Sequence, residues 1–353
     1  MTAGGAPERR YAILADGWFA NRHAKTAHGL IAYGKDEVAC VIDSTLAGKR
    51  VLDAMPNLRR DAPIVGSLEE ALEHEPTSVL VGLAPAGGRL PEEWMALLRE
   101  AAGSGLEVVS GLHQRLAPEF PRASVWDVRE PPKEVPLFSG EGFGVGPRVA
   151  LTVGTTSAIG KMTATLEIER AARERGVSAE FVATGQSGII IAGWGVCVDA
   201  VVSDFVAGAA EQLVLRAAED DPDLILVEGQ GSLGHPAYSG VTLGLLHGSC
   251  PDALVLCADA SEEEILAGVP RPSTERIIPL YESVAALVKP APVVAVSLNT
   301  KGLDDERAAR FVEGVSAATG LPAADPVRGS PAPILEAVLN APKTAALRTD
   351  QQP

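Results

Sequence analysis

Between Gly154 and Thr163 the chain carries residues suited to gripping an anion. A short apolar run (149–153) meets Gly154, Thr155, Thr156, Ser157, Ala158 and Ile159, and then closes on Gly160, Lys161, Met162 and Thr163. Helix-forming sequence follows at once. Glycines let backbone N–H groups turn inward around a phosphate, the following helix aims its positive end at it, and lysine adds a point charge. Two departures from G-x-x-x-x-G-K-[ST] matter. Five residues separate Gly154 from Gly160, and Met162 replaces the usual hydroxyl, the nearest being Thr163. Phosphate binding is expected; standard Mg²⁺-nucleotide chemistry does not follow from this spacing.

Other strand ends carry further polar groups. The aliphatic run 224–227 delivers Glu228 to its carboxyl end, where the chain turns on Gly229 and Gly231. Ligands of open α/β sheets lie at such ends, so Glu228 could hold a metal ion, orient a water, or act as a general base. His235 follows and could move protons, although a lone loop histidine is as often plain surface. Thr184, Gln186 and Ser187 sit in a glycine-spaced loop that suits donation to a substrate carboxylate or phosphate, or is simply a well-made turn. Asn299 and Thr300 end another apolar run, where many folds recognise a base. Nearer the N-terminus, Asp43 and Ser44, the loop 82–89 ending in Arg89, and Ser110 to His113 are three more loops at strand ends. Arg89 could clamp a carboxylate bidentately, or lie solvated.

The elements that must hold these groups are legible in the composition. The chain has 353 residues, which suggests two domains; 46% are hydrophobic but only 4% aromatic, so the core is built from Ala, Val, Leu and Ile. That favours parallel strands buried on both faces. Strands are expected at 11–14, 37–42, 63–65, 78–83 and 106–110, with a helix opening at Ser67 and another over 91–102. This βαβα rhythm implies a Rossmann-like sheet, although no G-x-G-x-x-G follows its first strand. Further strands are expected at 149–153, 180–183, 224–227, 253–257 and 293–297, with helices over 162–174 and 199–218. The Pro- and Gly-rich stretch 129–147 reads as a linker between a domain 1–128 and a domain 148–353, and the last dozen residues as a polar tail.

A formal charge of −16 argues against nucleic acid or an anionic membrane as partner. The cysteines Cys40, Cys197, Cys250 and Cys257 lack C-x-x-C spacing; Cys197 and Cys257 read as buried thiols. No run has the length to cross a bilayer and none reads as a signal peptide, so a cytoplasmic protein is expected. The apolar content permits a sizeable subunit interface, and a homo-oligomer is expected.

The phosphate loop and the run into Glu228 resemble the dethiobiotin-synthetase-like branch of P-loop proteins. A broader likeness covers residues 11–330. The segments 27–30, 41–45, 82–90, 110–113, 126–129, 160–163, 183–188, 192–195 and 228–236 together resemble the bacterial D-glutamate N-acetyltransferase family, long catalogued as a domain of unknown function. This resemblance implies an α/β protein with a Rossmann-like N-terminal domain followed by a P-loop NTPase-like parallel-sheet domain. It also implies acetyl transfer from acetyl-CoA to the amine of D-glutamate or a related small amino acid. Lys161, Thr163 and the backbone of 154–160 would then hold the pyrophosphate of coenzyme A. Glu228 or His235 would deprotonate the acceptor ammonium, and donors around Gln186 would steady the developing oxyanion. The competing reading is an ATP-dependent kinase or amide ligase, with Lys161 on the β/γ-phosphates and Thr163 and Glu228 holding Mg²⁺. A ligand-responsive regulator without turnover is the third.

Overall fold

The computed structural model describes residues 8–83, 90–260, 264–266 and 268–346. Arg89, nearly all of its loop and most of the polar tail fall outside these residues. The chain divides into two compact units, 1–131 with 185–197, and 132–184 with 198–353.

The first unit is a six-stranded parallel sheet in the order β3-β2-β1-β4-β5-β6. Its strands are β1 (Arg10–Leu14), β2 (Glu37–Ile42), β3 (Ile64–Val65), β4 (Ser78–Val81), β5 (Glu107–Ser110) and β6 (Val125–Asp127). Helices α1 (Lys25–Tyr33), α2 (Val51–Ala54), α3 (Leu68–Leu72) and α4 (Glu92–Gly103) connect or flank them. Ser67 caps α3 by accepting from the N–H of Glu70 at 3.2 Å. β4 is buried along its whole length, as a strand covered on both faces must be.

A second piece of sequence joins this unit. The stretch read as a polar loop around Gln186 is the start of α6 (Gln186–Ala192), which packs on α1. Gly185 is extended, and Ile189, Ile190 and Ile191 bury behind it. Three consecutive isoleucines gain more from burial than β-branching costs in a helix.

The second unit is also a six-stranded parallel sheet, in the order β14-β13-β10-β7-β9-β8. It comprises β7 (Arg148–Gly154), β8 (Ala179–Val182), β9 (Leu224–Val227), β10 (Ala253–Asp259), β13 (Val293–Asn299) and β14 (Ala323–Ala324). A short antiparallel ribbon, β11 (Glu264–Leu266) with β12 (Val269–Pro270), stands apart. The helices are α5 (Lys161–Glu174), α7 (Val206–Ala217), α8 (Ser239–Gly248), α9 (Thr274–Ala285), α10 (Asp305–Thr319) and α11 (Ala332–Asn340). Under α5 and α11 lies an aliphatic core that includes Ile168, Leu224, Val255, Ile334 and Val338. Among the described residues no helix is long and apolar enough to cross a membrane.

One helix begins later than its sequence suggests. In place of a helix from residue 199, two 3₁₀ turns (Val198–Ala200 and Ser203–Phe205) precede α7. The N–H of Val198 donates to Thr184 O at 3.1 Å, which ties this segment to the end of β8. The stretch Val201, Val202, Ser203 and Asp204 is β-branched and turn-forming, so it gives a helix little reason to start earlier.

The Pro- and Gly-rich stretch before β7 is anchored to α7 by one carboxylate. Fully buried Glu211 accepts from Ser139 N and Oγ (2.6 and 2.9 Å), Gly140 N (2.7 Å) and Gly142 N (3.1 Å). Gly208, one helical turn away, lets Pro136 approach: a Cβ there would lie 1.9 Å from Pro136 O. Glu211→Ala would orphan the four donors and cost about 3 kcal/mol. A melting temperature lower by roughly 6–12 °C is expected, measured by circular dichroism.

Candidate functional site

The phosphate loop takes the shape its sequence suggested. β7 ends at Gly154, the loop turns through left-handed backbone at Ala158 (φ +59°) and Gly160 (φ +102°), and α5 starts at Lys161. Gly160 is the better suited of the two, because it carries no Cβ to clash in that region. Alternating handedness turns successive N–H groups toward a common point, the concavity that holds anions. Two contacts set the loop. Thr155 N donates to Cys257 O at 3.1 Å, and Ile159 buries against Ala164 and Cys257.

Lys161 is almost wholly buried (6% exposed), and its Nζ donates to Thr156 O at 2.8 Å across the loop. Burial pushes its ammonium down to about 8, against smaller upward pulls from Cys257 and Glu228. Thr155 Oγ1 is buried with no hydrogen-bond partner. A buried hydroxyl left unpaired is costly, and here it lies beside a concavity lined with donors. Met162 and Thr163 are half-buried in the first turn of α5. The helix hydroxyl bonded inward is Thr165, which donates to Lys161 O at 2.8 Å and pairs with Thr152 Oγ1 at 3.0 Å. An i+4 hydroxyl that bonds its own helix carbonyl serves the helix, and Thr165 was invisible as a site residue for that reason.

β9 lies beside β7 and brings Glu228 to the same end of the sheet. Glu228 is buried, and its Oε2 accepts from Thr184 N at 3.0 Å. Thr184 Oγ1 donates to Glu228 O at 2.5 Å and accepts from Gln230 Nε2 at 3.2 Å. Gly229 then passes so close to β7 that a Cβ would lie 1.7 Å from Thr152 O and 3.2 Å from Lys161 Cδ. Only glycine fits, and its N–H donates to Thr152 Oγ1 at 2.9 Å. His235 is buried, stacks on Tyr238 at 4.4 Å, and accepts at Nδ1 from Ala237 N at 3.1 Å. Its protonated nitrogen is therefore Nε2 when the ring is neutral.

Tyr281 of α9 was not foreseen. Its hydroxyl donates to Gly154 O at 2.8 Å and accepts from Leu233 N at 3.1 Å, joining the phosphate loop to the segment after Glu228. A tyrosine on an amphipathic helix carries no sequence signal for that task. At the other side of β7, Asn299 Nδ2 donates to Asp259 Oδ2 at 2.8 Å, and Arg271 reaches Asp259 O at 2.6 Å.

In the first unit the expected residues have varied tasks. Asp43 is fully buried and accepts from Phe19 N (3.0 Å), Thr45 N (3.0 Å) and Thr45 Oγ1 (2.6 Å), so it ties the ends of β1 and β2 together. Ser44 is exposed and donates from N and Oγ to Asp16 Oδ1 (2.8 and 2.6 Å). His113 is exposed. Gln186 Oε1 accepts from Arg129 at 3.1 Å, and Ser187 Oγ pairs with Thr26 Oγ1 at 3.1 Å. The boundary between the units falls after Thr184, so Thr184 belongs to one unit and Gln186 and Ser187 to the other.

Two tests follow for the loop. Thr155→Val keeps the shape and removes the unpaired hydroxyl, so the melting temperature should hold or rise. Affinity for inorganic pyrophosphate should fall roughly tenfold or more, read by calorimetry. Lys161 sets a pH dependence. Its folded value near 8 lies below the ordinary 10.5, so between these values the unfolded chain binds the extra proton and stability rises with pH. Pyrophosphate affinity should fall as pH rises through about 8, with proton uptake on binding there. Lys161→Met should abolish both effects.

Known proteins agree with this architecture. Residues 136–335 match the P-loop domain of a domain of unknown function, DUF1611_C, and residues 44–131 its Rossmann-like partner, DUF1611_N. A protein of Pseudoalteromonas sp named D-glutamate N-acetyltransferase is 38% identical over 273 residues, 74% of this chain and 81% of that one. A protein of the same name from Tritonibacter scottomollicae is 37% identical over 287 residues, 77% and 84% of the two chains. The crystal structure of a DUF1611 family protein from Anabaena variabilis superposes with a TM-score of 0.88 at 39% identity, covering 94% of this chain and 99% of that one. With a phosphate loop on one parallel sheet, a Rossmann-like sheet preceding it, and relatives matched over most of its length, the chain belongs to the DUF1611 family of N-acetyltransferases.

Proposed function

We propose that this protein transfers acetyl from acetyl-CoA to the amine of D-glutamate, with the loop 154–163 holding the pyrophosphate of the cofactor. The observation that carries the reading is the phosphate loop with its unpaired Thr155 hydroxyl and buried Lys161, one strand away from the carboxylate of Glu228. The relatives named D-glutamate N-acetyltransferase supply the acceptor. Acetyl-CoA when bound supplies an activated acyl carbon, and it brings a pyrophosphate for the protein to grip. Thr155 Oγ1, the N–H groups of 156–160 and Lys161 fit that anion. Met162 stands where a Mg²⁺-binding hydroxyl would, and an anion held by donors alone has no need of one.

Glu228 is the better base. The acceptor amine is protonated at neutral pH and attacks only when neutral, so a carboxylate must take one proton. Glu228 is held by Thr184 N on Oε2, which fixes its orientation. His235 accepts at Nδ1 from Ala237, so its Nε2 carries the proton and suits a donor rather than a base.

Purified protein incubated with acetyl-CoA should release free thiol only when D-glutamate is present. ATP consumption without thiol release would overturn the reading in favour of a kinase or ligase. Glu228→Gln should lower kcat by roughly 10²–10⁴-fold with little change in KM for acetyl-CoA. An unchanged kcat would remove Glu228 from the role of base.

A further inference from the structure

We infer that Arg271 reads the 3′-phosphate of coenzyme A, and so tells this cofactor from nucleotides that offer a pyrophosphate alone. The inference deepens the proposed function and rests on it. The loop 154–163 is built to grip a pyrophosphate, but many adenine nucleotides carry one. What sets coenzyme A apart is a third phosphate, on the ribose, one sugar away. The chain carries a formal charge of −16, so that phosphate must meet a cation held locally.

The order of the strands gives the side on which such a cation belongs. β9, which leads into Glu228, is bonded to one edge of β7, and β10 is bonded to the other. Glu228 serves the thioester end of the cofactor, so the nucleotide end belongs on the β10 side. Neighbouring strands lie about 4.8 Å apart, the reach of a single sugar.

Arg271 stands on that side. Cys257 pairs in register with Gly154, and β10 ends two residues later at Asp259. Arg271 Nη1 donates to Asp259 O at 2.6 Å. The next residue, Pro272, lies against Gly234: a Cβ on Gly234 would be 3.1 Å from Pro272 Cγ. Leu233 gives its N–H to the Tyr281 hydroxyl, which in turn donates to Gly154 O. Residues 271 and 272 thus sit between the end of β10 and a turn tied to the phosphate loop.

The donor chemistry there suits a phosphate monoester. A guanidinium has five N–H groups in a fixed fork and keeps its charge at any working pH. Among the described residues Asp259 O is the one acceptor that Arg271 meets, so donors remain for a ligand. The acids nearby have other tasks. The Asp259 carboxylate accepts from Asn299 Nδ2 at 2.8 Å, and that of Glu275 from Thr274 Oγ1 at 3.3 Å. Lys161 is engaged at the loop itself, on Thr156 O. The arginine is half-buried, so its attraction for a phosphate is screened less than that of a surface charge.

Calorimetry on the full-length protein tests this, with coenzyme A, dephospho-coenzyme A (which lacks the 3′-phosphate) and inorganic pyrophosphate as probes. Wild type should bind coenzyme A roughly tenfold or more tighter than dephospho-coenzyme A. Arg271→Met should bring coenzyme A down to the affinity of its dephospho form, and leave dephospho-coenzyme A and pyrophosphate unchanged. Arg271→Lys should recover part of the preference. Lys301→Met, which removes an exposed charge just past β13, should keep all of it. Equal affinity of wild type for the two cofactors would overturn the assignment without any variant. So would loss of the preference in Lys301→Met, or an Arg271→Met that weakens both cofactors by the same factor, as a mere strap on β10 would. If wild type binds neither coenzyme A nor acetyl-CoA, the proposed function fails and this inference with it. If wild type binds coenzyme A and acetylates D-glutamate but ignores the 3′-phosphate, this inference alone falls.

Discussion

The second unit depends on the close passage of Gly229 beside Thr152. Its N–H bonds Thr152 Oγ1, which also pairs with Thr165, and Thr165 holds the carbonyl of Lys161. One hydroxyl on the central strand thereby joins three elements: the strand that carries the loop, the helix that starts at its lysine, and the strand end that bears Glu228. A buried polar network of this kind must be fully satisfied to be stable, and when satisfied it specifies one arrangement. Any side chain at 229 would push β9 away from β7 and carry Glu228 with it. The separation of lysine and carboxylate is thus set by backbone contact rather than by the two side chains themselves.

The carboxylates of this acidic chain divide their labour. Asp43, Asp127, Glu211 and Asp252 are buried and accept from backbone N–H groups, tying loops to strand ends or helices. A carboxylate offers about four lone-pair positions, so one side chain can terminate several otherwise unpaired donors. Such acids look like site residues in a sequence, because they too stand at strand ends. What marks Glu228 off is its neighbour, a buried lysine that feels its charge.

Much of the architecture was legible because parallel strands buried on both faces read as short aliphatic runs. β2 spans 37–42 and β9 spans 224–227, both as expected, and the remaining runs differ by one or two residues at their ends. The phosphate loop was legible for a local reason: its glycines, hydroxyls and lysine are contiguous. What escaped was whatever depended on distant sequence. β6 is three residues long and exists because β5 offers it an edge. Tyr281 reaches Gly154 across 127 positions, and Arg129 reaches Gln186 across 57. Gln186 and Ser187 were found by type but read as loop, since three isoleucines after a glycine signal strand and helix equally. Only packing on α1 decides between them.

Lys161 and Thr155 show how a binding loop keeps its instability in place. The lysine gives up part of its proton affinity to burial, and the threonine hides a hydroxyl with nothing to bond. Both are unfavourable for the folded chain by itself, and under the proposed function both would be relieved by the same event, arrival of an anion with several acceptor oxygens. The anion would favour the charged form of Lys161, draw its ammonium from Thr156 O, and accept from Thr155. The energy gained on binding is then larger than the new contacts alone would give, because two existing penalties vanish with it. A loop optimised for its own stability would have filled these positions with apolar side chains, and would have lost the reason for its shape.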